Sequence, residues 1–265
     1  MRPLLAIAAA LAAMLVGSAS ASAITFGQPD GNRHPNVGVI GAFIDGEKDW
    51  VCSGTLIAPR VFVTAAHCTD YLTRVAGVAR GDVFVSFDPT FGADSRIYPG
   101  TAYQHPGYPG PSARAHDVAV VVLDTAITGI TPARLPEARL LDRLAARHVL
   151  HDRTFTAVGY GATRHTKCCG WAGILPAEAG VRRFVLQHAL SLSENWLLLS
   201  MNPATGNGGT CYGDSGGPHF LGGPNSNLLV SITVTGDAVC RATDKTYRLD
   251  APDARRFLAR FIGLP

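Results

Sequence analysis

Short apolar runs alternate with turn residues along most of the chain, and this pattern predicts strands. The runs are rich in β-branched residues, and Gly, Pro, Asn and Asp separate them. Many short strands with such spacing are typical of an all-β sandwich or barrel. The predicted strands cover residues 36–44, 51–57, 61–64, 82–87, 117–123, 155–160 and 228–235.

Two stretches have a helical pattern instead. Residues 138–150 are weakly amphipathic and are predicted as part of a connector. Near the C-terminus, Phe257 and Phe261 lie four residues apart, which places them on one face of a predicted helix. The Pro-containing stretch 125–136 is the best candidate for a crossing between two halves of the chain.

The first 23 residues have the pattern of a secretory signal peptide. Arg2 supplies a positive start, residues 4–16 are apolar, and small residues end at Ala23. A membrane anchor is the alternative, but this run is shorter than the roughly 20 apolar residues that span a bilayer. We therefore expect cleavage after Ala23, a secreted extracellular protein, and no membrane attachment after cleavage.

The net charge argues against nucleic-acid partners, and the cysteine content indicates disulfides. The net charge is only +3, and Lys and Arg are scattered, whereas a nucleic-acid-binding protein normally has a basic stripe. Export would place the six cysteines in an oxidising compartment, where disulfides are the default. Counting alone leaves the pairing of these cysteines open.

Three stretches carry candidate chemistry. "GTCYGDSGGP" surrounds Ser215 with glycines, which fits either a surface turn or a nucleophile on a tight loop. "CSGTLIAPRVFVTAAHC" places His67 at the end of a strand, and "AHDVAVVVL" places Asp117 where a partly buried acid needs a hydrogen-bond donor. A serine nucleophile needs a base, and the base needs an orienting acid. The backbone N–H groups of Gly213 and Ser215 could form an oxyanion hole.

These motifs resemble those of the trypsin/chymotrypsin family of serine endopeptidases, in the secreted, bacterial-type form. The resemblance is carried by "TAAHC" (64–68), "HDVAVVVL" (116–123) and "GDSGGP" (213–218), in the family's order and near its spacing. It implies an all-β fold of two six-stranded antiparallel β-barrels. The active site would lie in the cleft between the barrels, and a short helix would end the chain. The implied peptidase domain covers 24–265, with barrels over about 24–128 and 129–250 and the helix over about 251–262.

The resemblance also implies the function and the roles of individual residues. Protein or peptide substrates would be cleaved through an acyl-enzyme intermediate, with no cofactor and no metal. The protein would be a monomer, and protein inhibitors are possible partners. The implied roles are general base for His67, orienting acid for Asp117, nucleophile for Ser215, oxyanion hole for Gly213 and Ser215, and disulfides Cys52–Cys68 and Cys211–Cys240.

Activation in this family pairs a new amino terminus with the acid before the nucleophile. Here the residue after the predicted cleavage site is Ile24, and the acid is Asp214. Signal-peptide removal would therefore expose the activating terminus directly. The alternative is a short propeptide that the sequence does not reveal.

The specificity pocket departs from the trypsin pattern. Gly209 stands at the base, where trypsins have Asp, so a preference for Arg or Lys loses its main support. Thr210 follows it, and Gly236 matches the rim glycine. Lys245 is either a pocket wall that could pair with an acidic substrate or a residue that points to solvent. Val234 and Thr235 replace the usual Ser-Trp, which puts catalytic efficiency in doubt.

Two alternatives concern the cysteine pair and the function. Cys168 and Cys169 could form a vicinal disulfide, bridge to another chain, stay reduced, or bind a metal with His165, although the metal spacing is unusual. A non-catalytic homologue acting as an extracellular binding protein is the alternative function. An α/β-hydrolase is excluded, because "GDSGG" is not Gly-x-Ser-x-Gly and Ser215 comes last in the chain.

Overall fold

The computed structural model describes residues 24–110 and 115–265. The predicted signal peptide, residues 1–23, lies outside the described residues. Strands dominate the described part of the chain and form two closed barrels, whose strands fall within residues 37–123 and 154–248. The predicted all-β class with two six-stranded antiparallel barrels is confirmed.

The first barrel closes in the strand order β2-β3-β4-β7-β6-β5, and every neighbouring pair is antiparallel. Side chains on both faces of these strands, such as Phe62 and Val120, are fully buried, and their removal from water stabilises the closed sheet. A two-residue strand, β1 (Gln28–Pro29), precedes this barrel and pairs with the second one. The strands of the first barrel are β2 (Val37–Ile44), β3 (Glu47–Ala58), β4 (Val61–Thr64), β5 (Val83–Ser86), β6 (Tyr98–Gln104) and β7 (Ala119–Leu123).

The second barrel has the order β8-β9-β10-β13-β12-β11 and closes through pairing of β11 with β8. Its interior contains polar groups as well as apolar ones. Asp244 Oδ2 lies 2.9 Å from His219 Nε2 and accepts a hydrogen bond from Gln187 Nε2, and all three residues are fully buried. The strands are β8 (Thr154–Gly159), β9 (Arg183–Leu192), β10 (Trp196–Ser200), β11 (Pro218–Leu221), β12 (Leu229–Gly236) and β13 (Thr243–Arg248).

Helices are short and lie outside the barrels. The predicted C-terminal helix is confirmed; it starts with Pro252 at its first turn and buries Phe257 and Leu258. None of the helices in the described ranges is long and apolar enough to span a membrane. The helices are α1 (Ala66–Asp70), extended by a π-helical turn Tyr71–Val75, α2 (Leu140–Ala146) and α3 (Pro252–Leu258), with 3₁₀ turns at Gly170–Gly173, Pro176–Glu178 and Pro203–Thr205.

A buried arginine joins the two barrels. Arg182 precedes β9, and its Nη1 donates to the carbonyl oxygens of Val37 and Phe87 in the first barrel. Its Nε donates to Asp30, so the buried guanidinium is paired with a carboxylate. A buried charge is stable only when it is paired and hydrogen-bonded in this way. The arginine therefore links the segment before β9 to the first barrel.

Candidate active site

His67 and Asp117 meet because β4 and β7 pair with each other. Thr64 ends β4 opposite Ala119, and the two residues of interest follow and precede these strand ends. Asp117 is fully buried, and its Oδ1 accepts the backbone N–H of His67 at 2.9 Å. Its Oδ2 lies 2.8 Å from His67 Nδ1. A carboxylate in this position keeps the proton on Nδ1 and leaves Nε2 free to accept a proton.

The loop before Asp117 is tied to the C-terminal helix. His116 has a positive φ of 54°, and its Nδ1 lies 2.6 Å from Asp253 Oδ2. The hydroxyl of Tyr247 donates to the same oxygen. Burial alone would raise the pKa of Asp253, but the hydrogen bonds from Tyr247 and His116 outweigh it and lower that pKa. Asp253 therefore stays charged and anchors the loop that carries Asp117.

Ser215 lies on a tight turn just before β11. Its carbonyl accepts the N–H of Ser53 from the first barrel, which fixes the turn against that barrel. Gly216 follows with a φ of +76°, and a β-carbon there would overlap Thr64 Oγ1. Ser215 and His67 both line the cleft, on its near side and on its far side. Within the described residues, the side-chain hydrogen bond of His67 goes to Asp117, and a hydrogen bond between base and nucleophile is often long in free enzymes.

Gly213 has a backbone conformation that only glycine adopts easily, with a φ of +97°. A β-carbon on Gly213 would lie 2.8 Å from the Trp50 ring. In the described part of the chain, no acceptor takes the N–H of Gly213 or that of Ser215. These two N–H groups therefore have no hydrogen-bond acceptor among the described residues.

Asp214 is completely buried beneath this turn. Its Oδ1 accepts the N–H of Gly161 at 2.7 Å, and its Oδ2 accepts the N–H of Cys211 at 2.8 Å. Burial raises the pKa of Asp214 to about 7, although the two backbone donors oppose the rise. Among the described residues, no cationic side chain pairs with this carboxyl. A positive charge placed beside it would lower its pKa.

Ile24 is buried against the second barrel and not exposed to solvent. Its side chain is fully buried and packs with Ala157 and Val185. Its carbonyl accepts the hydroxyl of Thr163, two residues beyond Gly161, which binds Asp214. Ile24 is therefore packed close to the segment after β8, in which the N–H of Gly161 binds the buried acid.

The predicted specificity residues divide into two groups. Thr210 and Gly236 line a cleft of about 360 Å³ beside Ser215, together with Val234 and Thr235. Gly209 does not line it, because the side chain of Met201 packs against the Gly209 backbone.

Lys245 lies apart from the residues that line the cleft. Alternate residues of β13 point into the barrel, so Asp244 and Thr246 are buried and Lys245 is on the other face. Its Nζ lies 4.2 Å from the centre of the Trp196 ring, and it does not line the cleft.

All six cysteines are paired. Cys52–Cys68 links β3 to α1 beside His67, and Cys211–Cys240 borders the cleft beside Ser215. Cys168 and Cys169 form a vicinal disulfide on an exposed loop, so the metal, reduced and interchain alternatives do not describe this structure. His165 instead lies 2.9 Å from a carboxylate oxygen of Glu178.

Among the residues that the structure describes, two side-chain clusters have the residue types of a metal site. The first contains His67 with Cys52 and Cys68, whose sulfurs are already bonded to each other. The second contains His105, His116 and Asp253. His105 Nδ1 accepts the N–H of Gly107, so in the neutral ring Nε2 carries the proton and points toward Asp253. The second cluster is therefore a hydrogen-bonded anchor rather than a set of converging lone pairs.

Sequence reasoning missed several residues of the cleft. Trp50 and Tyr71 line its far side beside the Cys52–Cys68 disulfide, and Tyr212 and Asp237 line the near side. Asp237 directly follows Gly236, which is the only sequence signal that could have indicated it. The others belong to loops whose position depends on the closed barrels.

Comparisons with known proteins agree with this geometry. The Trypsin family profile matches residues 31–251. Kallikrein 1-related peptidase b27 of Mus musculus is 27% identical over 208 residues, covering 72% of each chain. Chymotrypsin of Phaedon cochleariae is 26% identical over 212 residues, covering 76% of this chain and 69% of the relative. A solved structure of HL collagenase superposes with a TM-score of 0.67 at 17% identity, covering 91% of this chain and all of the other.

Two closed six-stranded barrels with a cleft between them define the chymotrypsin-like fold class. The profile match covers most of the chain, so this protein belongs to the trypsin family of serine proteases.

Proposed function

We propose that the protein is an active serine endopeptidase in which His67, Asp117 and Ser215 form the catalytic triad. The observation that carries the proposal is the double contact of buried Asp117 with His67, in the cleft that Ser215 also lines. His67 Nε2 takes the proton of Ser215 Oγ as this oxygen attacks the substrate carbonyl. The N–H groups of Gly213 and Ser215 stabilise the oxyanion that develops.

The second half of the reaction returns the enzyme to its starting state. The proton on His67 passes to the leaving amine, the peptide bond breaks, and an acyl-Ser215 ester remains. A water molecule then gives a proton to His67 and attacks the ester carbonyl. The acid product leaves, and the proton returns to Ser215.

Activation is part of the same proposal. Removal of residues 1–23 gives Ile24 a free α-ammonium group, which pairs with Asp214. The buried position of Ile24 and the absence of a cation beside Asp214 in the described chain support this pairing. The protein is secreted and acts as a monomer on protein or peptide substrates, and protein inhibitors are possible ligands of the same cleft.

Hydrolysis of a fluorescently labelled casein by the processed protein tests this function. We expect turnover by the wild type and a loss of about 10³-fold or more in His67→Ala and Ser215→Ala. His188→Ala is the matched control, because His188 is exposed on β9 and does not line the cleft. Equal activity of all four proteins would overturn the triad. A folded, processed wild type without activity would favour the non-catalytic binding protein.

A further inference from the structure

The exposed loop that carries the vicinal disulfide has an unfavourable backbone conformation. Cys169 has a φ of +77°, and Gly170 follows it with a φ of +49°. A positive φ is unfavourable for a residue that has a β-carbon. The bond between Cys168 and Cys169 closes a small ring that includes the peptide bond between them, so it restricts this backbone to few conformations. Reduction removes the only covalent constraint that the disulfide places on this conformation.

The same loop covers a buried guanidinium. Arg164 is fully buried, and its Nη1 donates to the carbonyl oxygens of Thr166 at 3.0 Å and Cys168 at 2.8 Å. Its Nη2 donates to the carbonyl oxygen of Gly170. The carbonyl of Cys168 belongs to the peptide bond inside the disulfide ring.

Arg164 has no counter-charge that would compensate for its burial. Among the described residues, no carboxylate forms an ion pair with it, and its Nε has no hydrogen-bond partner. A buried charge without an opposite charge is unfavourable, and water would stabilise this guanidinium if the loop opened. The closed loop therefore depends on the constraint that the disulfide supplies.

Two contacts connect the loop to the cleft. The ring of Trp171 stacks on that of Tyr212, with ring centres 5.8 Å apart and an angle of 19° between the planes. Tyr212 lines the cleft and immediately precedes Gly213. Arg241, in the turn between β12 and β13, donates from Nη1 to the carbonyl oxygen of Lys167. A loop that opens would lose both contacts.

We propose that Cys168 and Cys169 form a thiol-exchange site whose oxidation state controls the cleft. The disulfide keeps Trp171 against Tyr212, and its reduction by a dithiol releases the loop and lowers kcat/KM. The effect on catalysis rests on the proposed function, whereas the release of the loop does not.

The exchange takes place in two steps. A thiolate of the dithiol attacks the Sγ of one cysteine, the S–S bond breaks, and the other cysteine leaves as a thiolate that takes up a proton. The second thiol of the dithiol then attacks the mixed disulfide and releases the first cysteine. The two cysteines gain two electrons and two protons, and the dithiol becomes a disulfide. The other four cysteines are at most 8% exposed and are protected from this attack.

Hydrogen exchange measured by mass spectrometry tests the release of the loop without any need for catalysis. The protein is Ser215→Ala, which cannot digest itself under the proposed mechanism, with and without dithiothreitol. Differential alkylation confirms that only positions 168 and 169 are reduced. We expect backbone N–H groups in residues 164–175 and in the cleft segment 209–212 to exchange about tenfold faster after reduction.

Hydrolysis of a peptide amide tests the effect on catalysis. Reduction should lower kcat/KM of the wild type about fivefold or more, and reoxidation should restore it. The double variant Cys168→Ser with Cys169→Ser should have the lower value with or without dithiothreitol. Trp171→Ala should also have a lower value and respond little to reduction, because it lacks the contact with Tyr212.

Three outcomes separate this inference from the proposed function. Unchanged exchange in segment 209–212 after selective reduction would overturn the control of the cleft, whether or not the protein is active. A loss of activity on reduction in the Cys168→Ser, Cys169→Ser variant would assign the effect to another disulfide and would overturn it as well. Faster exchange in both segments, in a protein that hydrolyses nothing in either oxidation state, would contradict the proposed function and support the release of the loop.

Discussion

Asp117 holds His67 by two hydrogen bonds at once, one to the backbone N–H and one to the ring Nδ1, from a fully buried position. The first bond fixes the start of α1, and the second fixes the orientation and tautomer of the ring. The disulfide from Cys68 to Cys52 holds the same helix against β3. These three contacts fix the position of His67, and the second nitrogen of its ring faces the cleft.

Replacing Asp117 with Asn should impair the catalytic step while leaving the fold almost unchanged. An amide group cannot accept at both positions, so His67 loses the partner that keeps the proton on Nδ1. We expect kcat to fall by about 10⁴-fold, as in Ser-His-Asp triads generally, with little change in fold. Asp124→Asn is the control, because Asp124 is exposed just after β7. Steady-state kinetics on a peptide amide measures kcat of both variants. A decrease in kcat of less than about tenfold in Asp117→Asn would contradict the assigned role.

The buried carboxyl of Asp214 should make the stability of the unprocessed protein depend on pH. Its pKa is raised from 3.8 to about 7 by burial, so the folded state holds a proton that the unfolded state releases. This contribution is fully present below about pH 4 and is lost as the pH rises through about 7, with a slope of up to about 1.4 kcal/mol per pH unit. Urea unfolding at several pH values, with residues before Ile24 retained, should show this decline.

Two comparisons isolate this effect. Asp214→Asn should remove the decline between pH 4 and 7, because an amide does not titrate in this range. Processing at Ile24 should reduce it, since an adjacent ammonium group lowers the carboxyl pKa. Identical pH dependence in the unprocessed wild type and the unprocessed Asp214→Asn variant would show that this carboxyl titrates normally.

Gly216 should tolerate substitution poorly. Its φ of +76° is unfavourable for other residues, and a β-carbon would overlap Thr64 Oγ1 and lie 2.6 Å from Ser53 O. We expect Gly216→Ala to destabilise the protein by about 2–4 kcal/mol. Gly223→Ala should have almost no effect, because nothing lies within 4 Å of its built β-carbon. Thermal unfolding of both variants measures the difference, and similar melting temperatures would contradict the turn geometry.

The vicinal disulfide should be reduced before the other two. Cys168 and Cys169 are exposed, whereas the remaining four cysteines are at most 8% exposed. Exchange requires access of the attacking thiolate to sulfur, so a mild thiol should free this pair first. Differential alkylation followed by peptide mapping should detect label only at positions 168 and 169. Early labelling of Cys52 or Cys211 would contradict the burial order.

The strands of the first barrel were largely predictable, but several in the second barrel were not. Strand β9 carries buried Gln187, and β13 carries buried Asp244, so polarity conceals their alternation. These side chains are tolerated inside because Gln187 and His219 bond to Asp244. Such pairings join residues far apart in sequence, and no local pattern indicates them. β6, β10 and β11 were not predicted either.

The residues of the candidate site were also predictable only in part. Three motifs selected His67, Asp117 and Ser215, because the chemistry of each motif is local to a strand end or a turn. The residues of the pocket were harder to predict. The position of Lys245 relative to β12 depends on a register shift between β12 and β13. Met201 contacts Gly209 across a loop, and no spacing rule relates the two residues.

Intact mass of the processed protein before and after treatment with a fluorophosphonate tests the central claim most directly. An assembled triad predicts the addition of one equivalent, mapped to Ser215 and lost in His67→Ala. The unlabelled mass should correspond to a chain that starts at Ile24. A folded, correctly processed protein that takes up no label, or takes it up at another residue, would contradict a working nucleophile at Ser215.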